Sequence, residues 1–134
     1  MKILFTIALQ LVFFLSSFAQ SGELTITLDN FDDKKGKVYV GVFTEQNFLR
    51  NPTYSGVINL DAGKAQVTMK DVKYGTYAVS IFYDTNGNTQ LDMDEYGRPT
   101  EPWALSGKPT SMIPVWSEAK FNFDSTNKAV SLKL

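Results

Sequence analysis

Five oxygen-bearing side chains stand at the first, third, fifth, ninth and twelfth places of one short stretch: Asp84, Asn86, Asn88, Asp92 and Glu95. That spacing matches a calcium loop, in which alternate residues converge on a single ion as the backbone curls around it. Calcium takes about 6–8 hard oxygens. The carbonyl of Gln90, at the seventh place, would add to the set, Asp92 would bind directly or through water, and Glu95 or Asp94 would close the shell. Carboxylate and amide oxygens favour calcium over zinc or copper. Leu91 falls where such a loop drops an apolar anchor towards a core. The sixth place, where a glycine usually makes the sharp turn, holds Thr89, while Gly87 sits two residues earlier. A polar turn rich in Asp and Asn, with no ion, is the plainer alternative.

Little else in the chain suggests chemistry. There is no His and no Cys among 134 residues. Nucleophilic and acid–base arrangements built on those side chains are therefore excluded, and so are disulfides. The alternative to a binding module is a carboxylate-dependent hydrolase of the glycoside type, drawing on Asp92, Asp94, Glu95 and Glu101. An ion on the same carboxylates would hold them charged, which suits an acid catalyst poorly. The expectation is no enzyme.

The elements around the loop read as strands. Leu24, Ile26 and Leu28 alternate with polar residues, and Val38 to Phe43 is apolar on both faces, as in a central strand. Glu45 to Arg50 reads either as one helical turn capped by Thr44 or as an irregular loop. Val57 to Leu60, the turn Asp61-Ala62-Gly63 and the alternating Ala65, Val67 and Met69 suggest a hairpin. A strand from Thr76 to Tyr83 runs directly into Asp84, so the loop follows a strand and is no helix–loop–helix. Phe121 to Phe123 and Val130 to Leu134 close the pattern. About seven strands with short turns predict an all-β fold, an antiparallel β-sandwich of immunoglobulin-like kind, and the run Val72-Lys73-Tyr74-Gly75-Thr76-Tyr77 resembles the matching turn of transthyretin-like sandwiches. The calcium loop then opens a long insertion before the last two strands. From Asp84 to Ser117 no strand pattern is evident, and this segment holds four of the five prolines and both tryptophans, Trp103 and Trp116. A long irregular segment inside a compact domain is usually functional or disordered, and buried or ligand-facing tryptophans argue for function.

Residues 1–19 read as a secretory signal peptide: Lys2, an apolar run from Ile3 to Phe14, and small residues at Ser17 and Ala19. Cleavage before Gln20 would leave one domain, residues 20–134, with no further segment long enough to span a bilayer. The expected location is secreted or periplasmic. With Lys2 removed, 12 basic residues face 14 acidic ones and no basic block stands out, so nucleic acid is not expected as a partner.

Four motifs in order resemble the signature of the DUF2141 family: Gly36-x-Val38-x-Val40; Gly75-Thr76-Tyr77-Ala78-Val79; Asp84-x-Asn86-Gly87-Asn88-x-x-Leu91-Asp92; and Gly97-x-Pro99-x-Glu101 with Ser106. Phe48, after the second strand, matches as well. The resemblance spans nearly all of residues 20–134. It implies an exported bacterial β-sandwich with no established activity. The chain departs from the family pattern at Thr89, where glycine is usual, and at Ala104-Leu105, where an aromatic run is usual.

Two roles for the long segment follow. In one, calcium orders it for binding, with Tyr96, Glu101 and Trp103 as the ligand-binding candidates and a carbohydrate or an envelope protein as the partner. In the other the ion is a staple, and the protein is a structural accessory of the cell envelope. Trp116 is expected to pack as part of a lid, whereas Trp103 is open to either role.

Overall fold

The computed structural model describes residues 20–31 and 34–134. The expected signal peptide, residues 1–19, lies outside the described residues. Eight strands form two sheets: β1 (Ser21–Leu28), β2 (Lys37–Phe43), β3 (Tyr54–Asn59), β4 (Gln66–Lys73), β5 (Gly75–Asp84), β6 (Trp103–Leu105), β7 (Phe121–Phe123) and β8 (Asn127–Leu132). One short helix, α1 (Trp116–Ala119), is the sole α-helix among the described residues. The smaller sheet has the order β4-β1-β8. The larger has the order β3-β2-β5-β6, with β7 also pairing β5. The expected all-β sandwich is therefore present.

The core lies between the sheets and follows the period-2 rule. Leu24, Ile26 and Leu28 of β1 face Val38, Val40 and Val42 of β2 and Tyr77, Val79 and Ile81 of β5, all buried. Each is β-branched, long aliphatic or aromatic, the types that fill a pleated surface at high density. In β4 the alternation breaks: Met69 and Val72 both point inward. Two β4 residues stand opposite one β1 residue between the pairs Gly22↔Val72 and Leu24↔Met69, and Asp71 takes φ +56°. This bulge restores the inward face after one extra residue.

Several expectations are corrected. β3 and β4 do not form a hairpin: β3 pairs β2 and β4 pairs β1, in different sheets. A short 3₁₀ turn at Leu60–Ala62, closed by Gly63 at φ +69°, carries the chain across instead. Leu60 is buried, and burying it on the crossover decides against a tight hairpin. The pair β1·β8 is parallel, from Glu23↔Asn127 to Leu28↔Leu132. The chain leaves β7 in the larger sheet, and Thr126 enters the smaller one beside Gly22, where its carbonyl accepts from the Glu23 N–H at 2.8 Å. A Cβ on Gly22 would lie 2.4 Å from that carbonyl, so this entry requires glycine. The helical turn after Thr44 is a 3₁₀ turn, Glu45–Asn47.

The segment from Asp84 to Ser117, read as strandless, contains β6 and the start of α1. Three residues carry too little periodicity to be read, and β6 takes its register from its partner: Phe82↔Trp103, Ile81↔Ala104, Ser80↔Leu105. A tyrosine ties the corner between β4 and β5. The Tyr77 hydroxyl donates to the Lys73 carbonyl at 2.7 Å. Burial and the neighbouring Tyr54 hydroxyl push its pKa to about 12, so it serves as a neutral donor at all ordinary pH.

Candidate functional site

β5 ends at Asp84, and the turn that follows is organised by that carboxylate. Asp84 is 7% exposed. Its Oδ1 accepts from the Gly87 N–H at 2.8 Å and its Oδ2 from the Thr89 N–H at 3.0 Å. Two further side chains repeat the device: Asn86 Oδ1 accepts from the Asn88 N–H, and Asn88 Oδ1 from the Gln90 N–H. Each Asx turn bends the chain by local bonding. The result brings alternate side chains to one side. Asn86 Nδ2 donates to Asp92 Oδ2, and Asn88 Nδ2 donates to Asp92 Oδ1 at 2.7 Å. Asn86, Asn88 and Asp92 are thus gathered together, with Asp84 at the root of the loop.

Gly87 takes φ +76° and Thr89 takes φ +67°. The sixth place of the loop therefore does adopt the left-handed conformation, on a β-branched residue for which it is strained.

The other sequence-derived candidates are distributed differently. Gln90 contributes its backbone N–H, and its side chain is exposed. Residues Asp92 to Thr100 form a small hairpin: Asp94 N–H donates to Arg98 O, Thr100 N–H donates to Asp92 O, and Met93 bridges Pro99. Glu95 and Tyr96 sit at its exposed tip, with no hydrogen bond from the Glu95 side chain into the loop among the described residues. Asp94 braces this tip. The Arg98 backbone and guanidinium, with the Tyr96 N–H, hold its carboxyl below the ordinary range. Among the described residues no group of three or more His, Cys, Asp or Glu is gathered as a metal cluster. At Asp92 the carboxylate is met by the amide NH₂ groups of Asn86 and Asn88, not by other acids.

Glu101 turns inward and is 5% exposed. Its Oε1 accepts from the N–H and the hydroxyl of Thr85, at 2.8 and 3.0 Å, and its Oε2 from the Asp92 N–H at 3.2 Å. It closes the loop from behind by joining the first turn to Asp92. Sequence reasoning placed Glu101 among ligand-facing residues. The spacing carries no sign of burial, because the residues on either side, Thr100 and Pro102, are exposed.

Ser106 is a further residue whose role the sequence hid. It is 1% exposed. Its hydroxyl donates to the Ala119 carbonyl at 2.6 Å and accepts from the Val79 N–H at 2.8 Å, which ties α1 to β5. A hydroxyl with both roles filled in the core is a structural bridge. Beyond it, the α1 residue Glu118 holds the next arm. Its carboxylate accepts from the N–H and hydroxyl of Ser111 and of Thr110, four bonds between 2.7 and 3.0 Å. These bonds lower its pKa to about 2. Because the folded value lies below the ordinary 4.5, the stabilisation is complete above about pH 4.5 and fades as pH falls towards 2. Glu118→Gln should therefore melt at lower temperature than the parent at pH 7, and the two melting curves should converge by pH 2. Thermal melts at pH 7, 5, 3 and 2 check this, and a constant gap across that range would refute it.

Two arms thus rise from the larger sheet: the Asp92–Thr100 hairpin, rooted by Glu101, and the Thr110–Pro114 arm, rooted by Glu118. Between them, on the sheet's outer face, lies a cleft of about 590 Å³. Trp103 lines it, half-buried, next to Phe82 in register. Tyr96, 75% exposed, stands at the rim with the Arg98 guanidinium 5.2 Å from its ring centre. Trp116 lies elsewhere, edge-on to Phe48 at 5.6 Å in a small second cluster with Leu105 and Ala119. It packs, as a lid residue would.

The family model of DUF2141, described as an uncharacterized protein conserved in bacteria, matches residues 26–131, well over half of the chain. The chain belongs to the DUF2141 family. The match spans both sheets from within β1 to within β8, and it includes the Asp84–Asp92 loop, Glu101 and Ser106. No curated protein and no solved structure matched the chain.

Proposed function

We propose that this DUF2141 protein is an exported, non-enzymatic β-sandwich module whose Asp84–Asp92 loop binds calcium and thereby fixes the hairpin arm beside the cleft. One observation carries the reading: Asn86 and Asn88 both reach the Asp92 carboxylate, directly after a strand that ends in a buried Asp84. Each amide oxygen spends one lone pair on its Asx turn and keeps the other. Asp84, Asn86, Asn88 and Asp92, with the Gln90 carbonyl, would hold the ion, and Glu95 or Asp94 would complete the shell. Hard oxygens of this kind suit calcium. Export rests on the apolar leader-like segment at residues 1–19. The non-enzymatic reading is supported by the commitments of the polar side chains. Asp84 and Glu101 accept bonds from backbone N–H groups, and the Ser106 hydroxyl is spent in the core.

A purely structural reading, in which the ion is only a staple, has its own support. Asp84 and Glu101 spend their oxygens tying the loop's backbone together, the task that an ion there would share.

Calcium binding only to the native state raises stability by about 2.7 kcal/mol at a hundred times the dissociation constant. Melting curves with millimolar calcium, with magnesium and with chelator test the reading; equal melting temperatures in all three would reject it. Thr89→Gly sharpens the test. It relieves left-handed strain of about 1–2 kcal/mol, offset by about 0.5–1 kcal/mol of backbone entropy. The net gain expected is roughly 1 kcal/mol without ion, together with tighter calcium binding.

A further inference from the structure

The cleft between the two arms has a lining whose chemistry selects a ligand class. Its floor is Phe82 and Trp103, which continue an aromatic row that begins at Tyr39 in the adjoining hollow. Tyr39 stacks on Phe82 with ring centres 5.3 Å apart and planes 19° apart, and Phe82 stands opposite Trp103 in register. Outward-facing aromatics in a row on a sheet face expose apolar area that water hydrates poorly. The walls are apolar as well. Met93 and Tyr96 come from the hairpin, and Met112 and Ile113 from the arm clamped by Glu118. All four are exposed: 53%, 75%, 102% and 76%. Large exposed apolar side chains gathered at one place, on a chain whose other large apolar residues are mostly buried, mark a binding surface.

Charge gives the second half of the selection. The chain has more acidic than basic residues. Yet the charged residues lining the cleft are Arg50 and Arg98, and no carboxylate lines it. Arg98 is already engaged, its Nε donating to Asp94 Oδ2 at 2.7 Å. Arg50 is exposed and has no ion pair among the described residues. It also borders a second hollow of about 490 Å³ on the same sheet face, next to Tyr39 and Val57, where among the described residues it is the one charged lining residue. Arg50 thus stands where the two hollows adjoin. A sugar would need convergent amides, carboxylates or hydroxyls, and this lining offers few of them.

We infer that the cleft binds an amphipathic anion: an apolar aliphatic or aromatic body lying on Phe82 and Trp103, with one anionic head group held by Arg50. The inference shares one wall with the proposed calcium loop, but the ligand class comes from the cleft's own lining. A guanidinium at the mouth of an apolar cavity recognises carboxylate, sulfonate or phosphate by charge-assisted hydrogen bonds.

The test uses 1-decanesulfonate below its micelle concentration, against decyltrimethylammonium and 1-decanol of the same chain length. The readout is tryptophan fluorescence of a Trp116→Phe variant, in which Trp103 alone reports. Saturable one-to-one binding of the sulfonate is expected, at least tenfold tighter than either control. Arg50→Gln should weaken it about tenfold, and Arg98→Gln by less, since Asp94 already occupies that guanidinium. Equal binding of all three probes, an unchanged affinity in Arg50→Gln, or no saturable signal overturns the inference. Sedimentation in the same buffers covers a second copy of the chain: self-association that the sulfonate does not compete away also overturns it. Each titration is run with calcium and with chelator. Sulfonate binding without any response to calcium leaves the cleft standing and removes the ion, and a calcium response without sulfonate binding does the reverse.

Discussion

Glu101→Gln should destabilise the protein by about 3 kcal/mol with the ion absent. The side chain keeps its shape, so the loss comes from hydrogen bonding alone. Glu101 accepts from three donors: the Thr85 N–H, the Thr85 hydroxyl and the Asp92 N–H. An amide presents one acceptor and one donor group. Whichever way it sits, an NH₂ must face a part-buried backbone N–H. Bonds to a charged acceptor are worth about 1.5–3 kcal/mol each, and leaving a buried donor unpaired costs about 1–3 kcal/mol. Urea unfolding of the parent and the variant at pH 7 measures the difference. The same variant should open the hairpin arm, because Asp92 loses its support from behind, so amide exchange at residues 92–100 should quicken before the sandwich strands respond. A loss below about 1 kcal/mol would mean that the loop does not depend on Glu101.

Gly107→Ala should cost roughly 3–5 kcal/mol, whereas Gly97→Ala, at a similar backbone angle, should cost only about 1 kcal/mol. Both glycines are left-handed, at φ +80° and +73°. They differ in what a methyl group would meet. At Gly97 a Cβ finds nothing within 4 Å, while at Gly107 it would lie 2.0 Å from the Glu118 carbonyl oxygen. That carbonyl belongs to α1 and accepts from the Lys108 N–H at 3.0 Å. Moving it away would strain the adjoining Ser106 bonds to Ala119 and Val79 and the Glu118 grip on Thr110 and Ser111. Parallel denaturant melts of the two variants decide the point. Equal costs would show that conformation alone, and not close packing of α1 against residue 107, sets the requirement for glycine.

Much of the sandwich could be read from residues because its strands obey a two-residue period: Leu24-Ile26-Leu28 and Tyr77-Val79-Ile81 needed no tertiary information. Pairing partners were less accessible. The turn Asp61-Ala62-Gly63 has hairpin composition, but the burial of Leu60 makes it a crossover between sheets, and burial depends on the other sheet. β6 was hidden because three residues after a proline have no period of their own. In the site, Asp84, Asn86, Asn88 and Asp92 were legible, since the Asx turns that gather them are local. Glu101 and Ser106 were not assigned their roles. Both act on partners many positions away, Thr85 and Val79, and nothing in the neighbouring residues announces it. The cleft was legible only as two aromatics, Tyr96 and Trp103. Its floor includes Phe82, which stands beside Trp103 through cross-strand register.

The proposed calcium site is tested most directly by titrating calcium into the protein in a calorimeter, alongside an Asp92→Asn variant. Asp92 is chosen because it is only partly buried and receives both amides, so its loss should spare the fold. The account predicts saturable heat with one ion per chain, a calcium-dependent rise in melting temperature, and loss of both in the variant. A folded parent protein that shows neither heat nor a melting shift at millimolar calcium would contradict it.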